Sequence, residues 1–332
     1  MARIGIVGTG WGARVQVPTF REAGLEVVRI AGSRDDWRAL VSAEDVDLVS
    51  IVTPPSEHRE MALAALEAGK HVLCEKPTAL NVAEAEELVA AARKHPDRIT
   101  LIDHELRFLP SWRAARERIP DLGGIRYAEV RYSSPARGDR NRAWNWWADS
   151  SRGGGIWGAV GSHFVDALRY FGLEPEAAQA LVTTIIDERP FEDATRKVTA
   201  DDWTAVQLRM RDGVVAALTF SAVSSGPDEA AVMTIHGERG AMRFVGEEVL
   251  LSMGGSPFHA IAGGALEKRP GNSPGGAFGA GTLHLGRALR SAIDDGDRTA
   301  LAPAATFEDG LMQQRVLDAA RKSGASGGWV PV

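Results

Sequence analysis

The sequence predicts an α/β domain with a parallel, doubly wound sheet, followed by an α+β domain built on an antiparallel sheet. Three observations carry this prediction. Over the first 120 residues, short apolar runs alternate with helix signals. A glycine-rich loop follows the first of those runs. Near Leu122-Gly123-Gly124 the pattern changes, and from Ile125 strands follow one another with few helices. Alternating strands and helices mean parallel pairing, because each crossover returns the chain to the same end of the sheet. The expected domains are residues 1–121 and 122–332.

In the first domain, Ile4-Gly5-Ile6-Val7, Val27 to Ala31, Asp47 to Val52, His71 to Cys74 and Ile99 to Ile102 read as buried strands. Ser56 is placed to cap a helix through Ala68, with Gly69 at its C′ position. Asn81 and Glu84 have capping-box spacing for a helix to about Lys94. Only about 15 residues separate Ala31 from Asp47, room for one helix, so the sheet is expected to be shortened after its second strand.

In the second domain, Val206, Leu208 and Met210 alternate with Gln207, Arg209 and Arg211, giving one dry face and one wet. Asp212-Gly213 reads as a tight turn into Val214 to Ala222. Ala231 to Ile235, Ala241 to Val245 and Val249 to Met253 are further strands, with one helix near Ile156 to Phe171. Residues 262–281 read as a Gly- and Pro-rich loop, either a solvated linker or an active-site cover. Helices near 283–294 and 307–323 close the chain.

Composition excludes several classes. Lys and Arg number 38 and Asp and Glu 44, a net charge of −6. That balance is wrong for a protein that neutralises phosphate backbones, so no nucleic-acid partner is expected. With Cys74 alone, neither an internal disulfide nor a cysteine zinc site is expected, and no metal is assigned. No run approaches the ~18 apolar residues of a membrane span. Met1-Ala2-Arg3 leads into only four residues before the glycines, unlike a secretory leader. A cytoplasmic protein without a membrane partner is the expectation.

Gly8-Thr9-Gly10-Trp11-Gly12-Ala13, directly after the first strand, fits the Gly-x-Gly-x-x-Gly/Ala dinucleotide fingerprint. The first glycine permits the tight turn, and the second lets a pyrophosphate approach the backbone. The small third residue lets helix and strand pack closely. The alternative is a structural turn. At the end of the second strand an acid would bind the ribose of NAD, but Ser33-Arg34 comes first. A hydroxyl followed by Arg suits the 2′-phosphate of NADP. Asp35 and Asp36 weigh against it, and Arg34 also reads as a plain surface cation. The cofactor expected is NAD or NADP, with NADP favoured.

Val72-Leu73-Cys74-Glu75-Lys76-Pro77, with the glycine loop, Thr53-Pro54-Pro55 and Gly153-Gly154-Gly155 leading to Gly161-Ser162-His163-Phe164-Val165-Asp166, resembles the glucose–fructose oxidoreductase/inositol dehydrogenase/MocA family. Phe307-Glu308-Asp309-Gly310 through Ser323 is similar to that family's C-terminus, so the resemblance covers essentially the whole chain. It implies a Rossmann domain and a second domain on a large, mostly antiparallel sheet, with NAD(P)-dependent oxidation or reduction of a sugar, polyol or related compound. It maps Lys76 beside the nicotinamide and the reacting carbon, after a peptide bond to Pro77 that is often cis. It places Thr53, Pro54 and His58 against the cofactor, along with Glu75 and the glycine loop. It also implies a homodimer or homotetramer.

Such chemistry needs one group to exchange a proton with the substrate oxygen. Lys76 can hold that oxygen, and His163 is the candidate proton carrier, a core histidine being the ordinary reading. Family dehydrogenases commonly carry Asp four residues before this His, where Ala159 stands here. Asp166 can orient the ring or pair elsewhere. Two functions therefore stay open: a dehydrogenase, or a catalytically silent dinucleotide- and sugar-binding sensor. Trp144, Trp146, Trp147 and Trp157 fall within 14 residues, and Trp146 in particular suits stacking on a sugar ring, a core role being the alternative. Arg107 and Arg152 fit an anionic or polyhydroxyl substrate, or plain salt bridges, and His104 reads as structural.

Overall fold

Apolar runs too short for helices become β1 (Arg3–Val7), β2 (Glu26–Ala31), β3 (Leu48–Ile51), β4 (His71–Cys74) and β5 (Thr100–Ile102). Between them lie α1 (Val17–Glu22), α2 (Trp37–Val41), α3 (Pro55–Glu67) and α4 (Val82–Lys94). This computed structural model describes residues 1–226, 229–261 and 275–332. The strands pair in the order β2-β1-β3-β4-β5, all parallel. Every residue of β3 is buried, as a strand covered on both faces requires. Among the described residues no strand lies beyond β2, so the sheet is indeed shortened there. Asn81 Oδ1 accepts Glu84 N–H at 3.0 Å, and Glu84 Oε2 accepts Leu80 N–H at 3.0 Å, which closes the start of α4. The cap expected at Ser56 is absent. Pro55 is the first helical residue of α3, where its fixed φ suits the helix and its missing N–H costs nothing.

The second unit opens with α5 (Pro110–Arg118) and β6 (Ile125–Ser133). A π turn over Trp157–Gly161 runs into α6 (Ser162–Tyr170). Then come β7 (Pro175–Thr183), β8 (Glu188–Phe191), β9 (Ala194–Lys197), β10 (Trp203–Met210), β11 (Val215–Ser221), β12 (Glu229–Gly237), β13 (Gly240–Val245) and β14 (Glu248–Met253). Nine strands form one sheet, in the order β14-β13-β12-β6-β11-β10-β7 flanked by His259–Ala260 and Val330–Pro331. Among the described residues, only β6 and β11 pair in parallel in this sheet. The alternation in β10 is realised: Thr204, Val206, Leu208 and Met210 are buried, and Gln207 and Arg209 are exposed.

Two long helices follow, α7 (Gly276–Asp294) and α8 (Phe307–Ser326). The loop expected over 262–281 lies outside the described residues as far as 274, and from Gly276 the chain is helical. One compact unit is Met1–Leu109 with Glu267–Gln314, and the other is Pro110–Leu266 with Arg315–Val332. This division differs from the 1–121 and 122–332 boundaries read from sequence. The reason is the packing of α7. Leu285, Ala288, Leu289 and Ala292 join Ile4, Ile6, Phe20 and Leu48 in one core. Gly281 and Gly286 permit the close approach, because a Cβ on Gly281 would collide with the Glu105 carbonyl and one on Gly286 would press on Phe20 and Ala23. Ala305–Thr306 then adds an antiparallel edge to β5.

Candidate functional site

In the first unit β1 ends at Val7, and Gly8 turns the chain with φ +126°, a conformation open to glycine. A Cβ there would strike the Val52 carbonyl, while one on Gly12 would press on Ile6 at 2.9 Å. Gly10 differs: it is exposed, and a Cβ would meet nothing within 4 Å among the described residues. The loop is thus tight beneath and open above, the arrangement a pyrophosphate needs to reach backbone N–H groups. The helix after it begins as a π turn over Gly12–Gln16, in which Val17 N–H reaches back to the Gly12 carbonyl. Such turns are rare and concentrate at functional sites.

Beyond β2, Ser33 and Arg34 are exposed. The neighbouring acids serve the turn itself. Asp35 Oδ2 accepts Gly32 N–H at 2.7 Å, and Asp36 Oδ1 caps α2 by accepting Arg38 N–H at 3.0 Å. Arg34 makes no ion pair among the described residues.

After β4 the Lys76–Pro77 bond is cis, as the resemblance implied, and Lys76 is half-buried. Behind it lies a group that sequence reasoning missed. Gln16 Nε2 donates to Asp103 Oδ2 at 2.9 Å and lies 3.4 Å from Glu75 Oε1, while its own oxygen accepts the Ser50 hydroxyl at 2.7 Å. Asp103 and Glu105 are buried beside Glu75. Burial raises all three carboxyls. Asp103 and Glu105 go well above the usual range, because each also meets another carboxylate, whereas the Lys76 ammonium partly offsets burial at Glu75. The sequence signal was weak: acids following a strand usually face water.

His58 takes a different place from the one mapped to it. It is fully buried, with Nε2 2.9 Å from the Thr53 carbonyl and Nδ1 3.0 Å from the Pro77 carbonyl. Two carbonyls favour the charged ring, but burial outweighs them and lowers its pKa to about 4. A neutral ring donates to only one of them. His58 therefore ties the loop holding Thr53 and Pro54 to the one holding Lys76, and has no surface left for a ligand. The substrate role expected of Arg107 does not fit either. Its buried guanidinium pairs with Asp309 at 3.3 Å and reaches the Ala304 carbonyl at 3.4 Å. His104 is structural, 2.7 Å from Gln313 Nε2.

In the second unit Gly155, at φ +113°, packs so closely on Asp201 that a Cβ would overlap its carboxylate. Asp201 Oδ2 accepts the Trp157 N–H at 2.7 Å and the Thr204 hydroxyl at 3.0 Å, fixing where the π turn begins. Burial raises the Asp201 carboxyl despite these bonds. His163 and Asp166 are both buried on α6, and Ala159 lies within the π turn. Trp157 is core: its ring lies 5.7 Å from Phe220, and its N–H bonds the Leu317 carbonyl at 3.2 Å. Trp146 and Arg152 are half-buried, and Trp146 sits 6.5 Å from Trp147.

Residues 26–102 match a family described as an oxidoreductase family with an NAD-binding Rossmann fold, and residues 112–243 match the GFO/IDH/MocA C-terminal domain. A glucose-fructose oxidoreductase domain-containing protein 2 of Xenopus laevis is 30% identical, over 99% of this chain and 93% of its own length. The chain belongs to the GFO/IDH/MocA oxidoreductase family. The family match starts at Glu26, past the glycine loop, so the loop's fit to a dinucleotide rests on its own geometry. An oxidoreductase domain protein from Kribbella flavida superposes with a TM-score of 0.84 at 26% identity, covering 100% of both chains. A levoglucosan dehydrogenase solved with NADH and L-sorbose superposes with a TM-score of 0.86 at 23% identity, covering 100% of this chain and 98% of that one. That second likeness establishes a shared fold. Among the described residues, no helix is long and apolar enough to cross a membrane.

Proposed function

We propose that this GFO/IDH/MocA member is an NAD(P)-dependent oxidoreductase acting on the hydroxyl or carbonyl of a sugar or polyol-like compound. The carrying observation is the glycine turn, tight at Gly8 and open at Gly10, in the same unit as Lys76 and its buried carboxyls. A bound nicotinamide coenzyme supplies hydride transfer. Lys76 donates a hydrogen bond to the substrate oxygen and stabilises charge developing there. His163 takes the proton from that oxygen or returns it. Trp146 and Arg152 contact the substrate. The levoglucosan dehydrogenase that shares the fold was solved with L-sorbose, which supports a sugar-like ligand.

The coenzyme favoured is NADP. Arg34 is exposed and without an ion pair among the described residues, and Asp35 and Asp36 each spend one carboxylate oxygen on a turn N–H. Homodimer or homotetramer formation fits the outer sheet face, where Tyr127, Val215 and Leu181 are exposed on β6, β11 and β7. One observation favours a second reading, a silent dinucleotide- and sugar-binding sensor: Ala159 stands where family dehydrogenases commonly carry Asp. A screen of sugars and polyols with both oxidised coenzymes separates the two. The enzyme reading expects a rise in nicotinamide absorbance with at least one substrate. Ligand-linked thermal stabilisation with no absorbance change in any pair would replace it with the sensor.

A further inference from the structure

The loop that leaves β6 carries Arg137, Arg140 and Arg142 against one carboxylate, Asp139. That carboxylate is turned into its own loop, where Oδ1 accepts Asn141 N–H at 2.8 Å. The loop is held in place at several points. Arg137 N–H donates to the Ala222 carbonyl at 2.9 Å. Arg189, buried on β8, donates to the carbonyls of Arg137 at 2.6 Å and of Asp139 at 2.8 Å. Arg142 donates to the Ala136 carbonyl at 3.0 Å.

On this fixed loop the half-buried Arg137 guanidinium lies 3.7 Å over the Trp147 ring. None of its N–H groups meets an acceptor among the described residues, and neither it, Arg142 nor Arg189 forms an ion pair there. A second stack nearby shows the contrast. Arg196 lies 3.7 Å over Trp144, but it has a carboxylate, Asp149, at 4.0 Å. Burial first, then repulsion from Arg142 and Arg189, pushes Arg137 down to about 9, so at neutral pH it is still charged, with no carboxylate paired to it among the described residues. A desolvated charge without a partner is costly, and a planar fork already seated on an aromatic face loses little freedom when it binds.

We propose that Arg137, seated on Trp147 in the loop that Arg142 and Arg189 hold, is a binding site for an oxyanion, a phosphate or carboxylate group. The fork matches either group in bidentate fashion, and Arg142 adds positive potential, as does Arg189, which Asp202 and Asp139 partly offset. The site stands on residues of the second unit alone and does not depend on the redox reading.

Calorimetric titration of the full chain with inorganic phosphate, at constant ionic strength against chloride, tests the proposal. The expected result is saturable binding that weakens about tenfold or more in Arg137→Gln and less in Arg137→Lys, which keeps the charge but not the fork. Arg142→Gln, at an exposed side chain, is expected to weaken binding about threefold and keeps the test decisive if Arg137→Gln folds poorly. Absent binding, or equal affinity across wild type and variants, would overturn the site. A parallel titration with glucose 6-phosphate distinguishes the source. Tighter binding than inorganic phosphate, lost in Arg137→Gln, assigns the group to a sugar ligand, and equal Arg137-dependent affinity assigns it to a free anion.

Discussion

Gln16 donates to Asp103 at 2.9 Å while accepting the Ser50 hydroxyl at 2.7 Å, so a single amide joins the helix after the glycine loop, β3 and the end of β5. The same amide nitrogen lies 3.4 Å from Glu75, the residue before Lys76. The glycine loop and the lysine loop are thereby braced against one buried polar group.

That group predicts an unusual pH dependence. An unfolded aspartate ionises near pH 4, whereas folded Asp103 holds its proton to higher pH because burial and Glu75 oppose ionisation. Above about pH 4 the folded chain therefore binds more protons than the unfolded one. Stability contributed by Asp103 falls by up to about 1.4 kcal/mol per pH unit until the group ionises. Asp103→Asn should flatten this decline in denaturation midpoints measured from pH 5 to 8. Parallel curves for variant and wild type would remove Asp103 as its source.

His58 predicts the opposite slope. Its folded pKa is about 4 against 6.5 for an ordinary histidine, so the unfolded chain binds the extra proton in between. Its contribution is complete above about pH 6.5 and is lost as the pH falls towards 4. His58→Phe should cost about 1–2 kcal/mol at pH 7 through the lost hydrogen bond, yet lose less on acidification than wild type. Urea melts at pH 7 and pH 5 read both effects; an unchanged acid limb contradicts the neutral ring.

Arg107→Met tests the reassignment of a residue that looked like a substrate ligand. Removing one partner of the pair with Asp309 should destabilise the fold by on the order of 3 kcal/mol. The KM for any substrate found should stay within about twofold of wild type, since a positional loss without substrate contact does not alter binding. A raised KM with unchanged melting temperature would return Arg107 to the substrate.

Lys76→Ala should lower turnover by about 100-fold or more while leaving coenzyme affinity within a few-fold, because a donor aimed at developing charge acts on the transition state. Stopped-flow turnover and coenzyme titration of one preparation check this. Unchanged turnover would remove Lys76 from the reaction.

Much of the first unit was legible because its strands are continuous apolar runs closed by glycine or proline, as in Ile4 to Val7 and His71 to Cys74. The short path from Ala31 to Asp47 also announced a sheet that stops at β2. Long-range partners were not legible. Asp103 lies 87 residues from Gln16, and Arg107 lies 202 from Asp309, so nothing local marks those charges as buried. Gly281 fell in the loop expected over 262–281 and Gly286 in the helix expected near 283–294, and neither showed the close packing of α7 in the first unit, because small residues signal it only once the opposing surface is known. Asp201 was missed in the same way, 44 residues from the Trp157 N–H that it anchors.

The most direct test of the central claim is a fluorescence titration with NADH and NADPH of wild type, Gly10→Ala and Gly8→Ala. A Cβ at position 10 meets no atom of the described residues within 4 Å, so Gly10→Ala should melt within about 1 °C of wild type. Its affinity for both coenzymes should fall at least tenfold, because the added methyl occupies the space of the pyrophosphate. Gly8→Ala should instead lose stability outright, through its φ of +126° and the clash with Val52. Undiminished coenzyme binding by Gly10→Ala, or no binding of either coenzyme by wild type, would contradict the account.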